Sequence, residues 1–270
     1  MTFRVIGRVA VNVFKESVRD KVLYNLVVFA VLLIAASFLI GQLTAGQDVK
    51  IIKDLGLAAI SIFGLLIAVF IGIGLVWKEV EKRSIYVILS KPIRRHEFVL
   101  GKYAGLVLTL TVNVVVMTAA FYGVLAVMHW KTDPAIRAAW SVSALDPHLL
   151  VAVLLILVEL MLVTGIALFF STFSSPFLSA VLTLGLWVIG HFNADLRNFD
   201  QVLASKPAIW LARGLYYVLP NFSAFDVKAQ AVYGLPVAPG YVAFTSAYGV
   251  LYLAFVLGAA VTVFARRDFK

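Results

Sequence analysis

Cysteine is absent from this chain of 270 residues. Its absence excludes disulfide bridges, thiolate metal sites, iron–sulfur ligation and a cysteine nucleophile. Histidine is scarce as well, and the histidines do not have the spacing of metal ligands. They are His96, His129, His148 and His191. Each lies near a predicted membrane border, so we expect interfacial polar residues, no metal site and no catalytic role.

Charge is also sparse. Charged residues make up 14% of the chain, hydrophobic residues make up 62%, and the mean hydropathy is +0.99. These values lie far outside the range of soluble domains. They predict an all-α polytopic membrane protein with one domain over residues 1–270. The net charge of +9 is explained by membrane topology and anionic lipid, so we expect no nucleic-acid partner.

The apolar segments predict six membrane spans, because a span needs about 20 apolar residues. They are Val22–Leu43, Leu55–Trp77, Tyr103–Met128, Leu149–Phe170, Phe177–Phe192 and Tyr241–Ala265. The fifth is short, but an even number of spans places most of the 23 lysines and arginines on the side of both termini. We therefore expect six spans with both termini in the cytoplasm.

Residues 1–21 precede the first span and carry an amphipathic pattern. A secretory signal peptide is the competing interpretation, but the apolar run that follows is longer than the roughly 7 to 15 residues of a signal peptide. Ile6, Ala10 and Val13 recur at helical spacing, with Arg4 and Arg8 on other faces. The pattern favours a helix lying in the membrane interface, and the alternative is a solvated basic tail.

A charged elbow, residues 78–102, separates the second and third spans. Basic and acidic side chains are interleaved there, and Pro92 ends a first helical stretch because proline lacks an amide donor. A second stretch, from Arg94 to Lys102, leads back to the membrane. Lipid headgroups would explain the basic residues, but anionic lipid would repel the glutamates. A protein partner explains both signs of charge.

The chain has no phosphate-binding loop of the G-x-x-x-x-G-K-[ST] type. Its only Gly-Lys pair, Gly101-Lys102, is followed by Tyr103 and has His96 where the first glycine should stand. We therefore expect this chain to bind no ATP by that motif and to have no enzymatic activity of its own.

Four segments in chain order carry a resemblance to a known family. They are the run from Glu79 through Arg83 and Pro92 to Gly101-Lys102, the connection STFSSP (171–176), the segment LPNFSAFDVKAQ (219–230) and the terminal FARRDF (264–269). Together they resemble the permease subunit of type-2 ABC exporters over essentially the whole chain. The resemblance implies an interfacial N-terminal helix, six spans, a coupling helix in the elbow and re-entrant or interfacial helices before the last span.

The same resemblance implies the partners and the site. Two ATPase subunits would bind ATP and Mg²⁺, a second permease copy would complete a homodimer or a related heterodimer, and the assembly would lie in the bacterial inner membrane. In the elbow, the residues expected to couple to the ATPase are Glu79, Glu81, Lys82, Arg83, Pro92, Arg94 and Arg95. The first four would dock, Pro92 would fix the elbow angle, and the last two would contact the ATPase or lipid.

Residues 193–240 form a long segment of mixed polarity that is rich in aromatic side chains. Lys206 and Arg213 lie seven residues apart, on one helical face. Short amphipathic helices on the outer leaflet fit this pattern, and a partly apolar loop in water is the alternative. We expect an interfacial or re-entrant segment on the outer side.

Glu159 falls near the centre of the fourth span, where an ionised carboxylate costs several kcal/mol. It is expected to face protein or a cavity. One interpretation is a polar site on a substrate path or in proton coupling. The other is a structural hydrogen bond across the bundle to Asn113 or Thr109 of the third span. Gly72, Gly74, Gly165 and Gly185 are expected to be close-packing positions between helices.

Two other functions fit the same features. A membrane subunit could relay ATPase motion to a periplasmic partner, for example in metalloenzyme maturation, without moving a solute. An ATPase-independent anchor or redox-complex subunit is the second alternative, although no paired intramembrane histidines for haem occur. The sequence does not identify a substrate, and the apolar spans favour an amphipathic or lipidic one.

Overall fold

The computed structural model describes residues 2–41, 48–81, 94–138, 140–192 and 216–266, together with Gly214. Side chains are described over the same ranges except at 2–3, 48 and 75–81. Within these ranges the secondary structure is helical, with no strand. The predicted all-α polytopic class is confirmed.

The helices are named here in chain order. They are α1 (Thr2–Val18), α2 (Lys21–Gly41), α3 (Asp48–Glu81), α4 (Arg95–Lys131), α5 (Pro134–Ala138), α6 (His148–Ser171), α7 (Pro176–His191), α8 (Lys228–Val232) and α9 (Pro239–Arg266). A 3₁₀ turn at Ser223–Phe225 precedes α8.

Five described helices are long and apolar enough to cross a membrane, namely α2, α3, α4, α6 and α9. The remaining predicted span, the fifth (Phe177–Phe192), corresponds to α7, which is apolar but has 16 residues. At 1.5 Å per residue, α7 is about 24 Å long, which is less than the hydrocarbon thickness of about 30 Å. The six-span count therefore stays a prediction.

Helices α6 and α7 form a tight antiparallel hairpin. The amides of Thr172 and Ser174 donate to the last carbonyls of α6, and Ser175 with Pro176 starts α7 as N-cap and first-turn proline. The Ser175 hydroxyl accepts from the Leu178 amide at 3.4 Å. The expected tight connection between these two helices is thus present.

Helix α1 packs along the first turns of α4. The face of α1 that includes Val9, Ala10 and Val13 is turned to α4, and Arg4 and Arg8 are exposed. The predicted apolar face of α1 therefore exists, and protein covers part of it. The position of α1 relative to a membrane remains a prediction.

The centre of the bundle is formed by α3 and α6, which are the most buried of the five long helices. Gly72 of α3 lies against Ala167, and Gly165 of α6 lies against Leu253, as expected for close-packing glycines. Gly74 and Gly185 have open space where a side chain would be, so that prediction was wrong for these two. By contrast, α2 and α9 leave most of their surface on the outside of the bundle.

The described part of the segment before α9 packs deep within the bundle. Phe222 and Phe225 are fully buried, and the amide of Phe222 donates to the Gly190 carbonyl at 3.0 Å. The hydroxyl of Tyr252 donates to the Val218 carbonyl at 2.8 Å. Tyr252 lies 13 residues from Pro239, about 20 Å along α9. Lys206 and Arg213 of the predicted amphipathic helix lie outside the described residues.

Candidate functional site

The structure describes only part of the predicted coupling elbow. The backbone of Glu79 and Glu81 belongs to the last turn of α3. Their side chains, together with Lys82, Arg83 and Pro92, lie outside the described residues. The described portion is the stretch 94–102, called here the second leg. It contains the start of α4.

The second leg begins with a local cap. Arg94 is the N-cap residue of α4, and its amide donates to the Glu97 carboxylate at 3.1 Å. This contact satisfies a backbone donor at the helix start and places an acid in the first turn, where the helix dipole favours it. The Arg94 residue itself is exposed. Its contact with an ATPase or with lipid stays a prediction.

Arg95 connects the second leg to the end of α9. Its Nη1 donates to the carbonyl of Ala265 at 2.8 Å and to that of Phe264 at 3.3 Å. Both carbonyls belong to the last turn of α9 that the structure describes, and a cation is favourable at this end of the helix dipole. Phe98, one turn further along α4, stacks on Phe264 with ring centroids 5.8 Å apart. These contacts lie within the chain, and the predicted contact of Arg95 with the ATPase or with lipid stays a prediction.

Helix α1 holds the second leg from the other side. A Cβ on Gly101 would lie 2.7 Å from the Val9 Cβ, and one on Gly105 would lie 2.6 Å from the Ala10 carbonyl oxygen. The two backbones therefore approach more closely than any side chain at these positions would allow. Lys102, between them, is 1% exposed and holds its ammonium 5.0 Å from the Phe98 ring centroid.

These contacts make the second leg a junction of three helices. Gly101, and Gly105 one turn beyond the leg, contact α1. Arg95 and Phe98 contact α9, and the leg continues directly into α4. Because packed interfaces of this kind resist sliding, a displacement of residues 94–102 would move all three helices.

The buried carboxylate of Glu159 lies between α6 and α7. The residue is 2% exposed, and its Oε1 accepts a hydrogen bond from Trp187 Nε1 at 2.7 Å. His191, one turn beyond Trp187, places its Nε2 3.6 Å from the same oxygen. The expectation that Glu159 faces protein is met, since an indole and an imidazole surround its carboxyl group.

The partners expected for Glu159 in the third span were wrong. Asn113 donates from Nδ2 to the Thr109 carbonyl at 2.7 Å, and the Thr109 hydroxyl donates to the Gly105 carbonyl at 2.9 Å. Both groups therefore satisfy their hydrogen bonds within α4. His191 also differs from the isolated interfacial residue that the sequence suggested.

One signal in the sequence would have found the correct partner. Two helices joined by a tight turn place residues at equal distances from that turn side by side. Glu159 lies 12 residues before Ser171, and Trp187 lies 11 residues after Pro176. Counting from the STFSSP connection therefore pairs these two positions.

A second polar cluster, not anticipated from the sequence, lies at the opposite end of the bundle from the second leg. Lys53 of α3 is fully buried, and its Nζ lies 3.8 Å from the Asp146 carboxylate. His148 contacts Asp146 through both its amide at 2.9 Å and its Nδ1 at 2.8 Å. Burial acts to raise the pKa of Asp146, but the His148 hydrogen bonds and the Lys53 charge outweigh it and hold that pKa below its usual range.

In the part of the chain that the structure describes, no group of three or more histidine, aspartate or glutamate side chains is arranged to hold a metal ion.

Comparison with known proteins places these features in a family. A search among curated proteins finds no significant match to the chain. A family model described as "ABC-2 family transporter protein" matches residues 8–269, which is nearly the whole chain. The chain therefore belongs to the ABC-2 family of transporter proteins, as a membrane-embedded permease subunit of an ABC transporter.

Proposed function

We propose that this permease couples to a separate ATPase through residues 78–102 and converts ATPase closure into rocking of the helical bundle. The observation that carries the proposal is the junction at the second leg. A force applied there would reach α1, α4 and α9 together, because Arg95 and the pair Gly101 and Gly105 fasten the leg to its neighbours.

The sequence indicates which subunit would bind ATP. The chain has no phosphate loop, so ATP and Mg²⁺ would bind to the partner ATPase. Two ATPase copies would act on two permease copies, since one bundle is half of a type-2 exporter. For the motion to be driven, the elbow must bind the ATPase with different free energy in its two nucleotide states. In this proposal, Glu79, Glu81, Lys82 and Arg83 provide that contact.

The proposed substrate is an amphipathic or lipidic molecule, and the proposed direction of transport is outward. A cavity of about 330 Å³ lies between α1, α2 and α3 and supports this choice. Its lining is mainly apolar, with Leu23, Ile67 and Phe70, and Glu16 and Asp20 add acidic groups. Pockets of this size and composition suit molecules with an apolar body and few polar groups.

The coupling proposal is tested by a charge swap in the elbow. The tagged chain would be purified from its native host in mild detergent, as wild type and as Glu81→Lys with Arg83→Glu. The matched control is Lys131→Glu with Asp133→Lys, which makes the same swap at two exposed residues beyond the other end of α4. We expect an ATPase to copurify with wild type and control, and to be lost from the elbow variant.

Three other results would argue against this proposal. An ATPase that stays bound and active in the elbow variant would overturn the coupling assignment. No ATPase in any sample would favour the membrane-anchor alternative. Reconstituted complexes that hydrolyse ATP but move no labelled lipid or amphipathic probe would favour relay of motion to a periplasmic partner.

A further inference from the structure

We propose that Glu159 and His191 together form a proton-binding site inside the bundle, in which one proton is carried either by the glutamate carboxyl group or by the imidazole Nε2. The site would control how firmly the segment 216–227 is docked. It lies between α6 and α7 and is separate from the coupling elbow. Its test does not depend on the transported substrate or on the ATPase.

The Nδ1 atom of the His191 imidazole must be protonated, because of the group that it contacts. This atom lies 3.1 Å from the Trp187 backbone carbonyl, which can only accept a hydrogen bond. Nδ1 must therefore carry a proton. A neutral His191 then presents the lone pair of Nε2 to whatever it faces.

What Nε2 faces is the Glu159 carboxyl group. The distance from Nε2 to Oε1 is 3.6 Å, and the side chains of Glu159 and His191 are 3% and 21% exposed, so the carboxylate is shielded from water and the imidazole is partly exposed. If Glu159 were ionised and His191 neutral, two hydrogen-bond acceptors would face each other in a medium of low dielectric, which is unfavourable. One added proton, on either partner, changes this repulsion into a hydrogen bond or an ion pair.

Other groups near the pair do not supply that proton. Trp187 donates its single indole hydrogen to the same Oε1 at 2.7 Å. Lys228 and Asp226, which act electrostatically on both residues, carry opposite charges and pair with each other at 3.6 Å. Their fields on the site therefore oppose one another.

Titratable groups on the remaining helices that pack against α6 have partners elsewhere. On α3, Lys53 pairs with Asp146. On α4, the Tyr103 hydroxyl donates to the Met161 carbonyl at 3.1 Å. On α9, the Tyr248 hydroxyl accepts from the Asn221 amide at 2.9 Å, and the Tyr252 hydroxyl is held by Val218.

The proton site is directly connected to the segment before α9. The His191 ring stacks on Phe222, with centroids 5.9 Å apart and planes 20° apart. Beside it, the Phe222 amide donates to the Gly190 carbonyl, and a Cβ on Gly190 would collide with the Phe222 ring. Loss of the proton would push His191 away from Glu159 and disturb this packing.

The experiment compares wild type with Glu159→Gln, purified in nanodiscs. Glutamine carries no charge and does not titrate, and its carbonyl oxygen still accepts from Trp187, so the variant removes the negative charge that faces Nε2. Hydrogen–deuterium exchange of residues 216–227 would be measured between about pH 5 and pH 8, where histidine titrates, and corrected for the chemical exchange rate. The matched control is Asp133→Asn, at an exposed carboxylate between α4 and α5.

We expect protection of residues 216–227 to fall at least tenfold with rising pH in wild type and in Asp133→Asn, and to stay constant in Glu159→Gln. The same pH response in Glu159→Gln as in wild type would overturn the proposal, and so would no response in wild type.

A second measurement uses wild type alone, in case the variant does not fold. Nitrogen-15 NMR of labelled histidine, with His191 assigned by its loss in His191→Gln, reports protonation of both ring nitrogens, and infrared spectroscopy reports a protonated carboxyl group. At about pH 5 we expect either a doubly protonated His191 ring or a protonated carboxyl group. A neutral His191 beside an ionised Glu159 at that pH would overturn the proposal.

Discussion

The guanidinium of Arg95 donates to the backbone carbonyl of Ala265 at 2.8 Å, so the start of α4 is fastened to the end of α9. These residues are 170 positions apart in the chain. The contact places a cation at the carbonyl end of α9, where the helix dipole favours positive charge.

Replacing Arg95 tests this fastening. We expect Arg95→Ala to lower the free energy of unfolding by about 1–2 kcal/mol, because hydrogen bonds that involve a charged group contribute about that much. Thermal unfolding in detergent measures the change. The exposed neighbour Arg94 serves as the control, since Arg94→Ala keeps the backbone cap from Glu97. Equal losses in both variants would contradict a specific role for Arg95.

A methyl group at Gly105 is expected to displace α1. The added Cβ would lie 2.6 Å from the Ala10 carbonyl oxygen and 2.6 Å from the Val13 Cβ, and backbone atoms cannot move aside locally. We expect Gly105→Ala to cost about 1–3 kcal/mol, as overpacking does, and to make α1 more sensitive to limited proteolysis. Gly123→Ala, on the same helix with nothing within 4 Å, is the matched control and is expected to be neutral or slightly stabilising.

Removing the indole donor is expected to leave the Glu159 carboxyl group poorly satisfied. Trp187→Phe keeps an aromatic ring but deletes the hydrogen bond to Oε1, at a cost of about 1–3 kcal/mol for a buried polar group. Trp130→Phe is the control, because Trp130 is 76% exposed. Adding Glu159→Leu to Trp187→Phe is expected to recover part of the loss, and a purely additive double variant would argue against the pair.

Acid is expected to weaken the cluster around Asp146. The pKa of Asp146 is held below its usual range, so its ionised form is stabilised by folding. That contribution is present above the pKa of the unfolded chain, about 3.9, and is lost as the pH falls through the lower folded value. We expect Asp146→Asn to lower stability at neutral pH and to remove part of the acid-induced loss. Asp133→Asn, at an exposed aspartate, is the control for unfolding curves measured against pH.

The sequence predicted the class of the protein and the positions of most helices, because apolar runs and charge clusters report directly on burial. The connection between α6 and α7 was one of the segments that carry the family resemblance, and in the structure Ser175 and Pro176 start α7 as N-cap and first-turn proline. The predicted coupling residues in the first part of the elbow remain predictions, since their side chains lie outside the described residues.

Contacts between distant segments were harder to predict. Asn113 was a reasonable partner for Glu159 by depth alone, but its amide is satisfied within its own helix, and Trp187 faces the carboxylate across the hairpin. Arg95 looked like a surface charge because nothing local shows that α9 ends beside it. Such pairs depend on helix rotation and packing, which hydropathy does not encode.

The tyrosines of α9 have a consequence for how the bundle can move. The hydroxyl of Tyr248 accepts from the Asn221 amide, and the hydroxyl of Tyr252 donates to the Val218 carbonyl. These two bonds attach the segment before α9 to one face of that helix. If α9 turned about its axis by itself, both hydrogen bonds would break. The last helix and the segment folded against it are therefore expected to travel as one body.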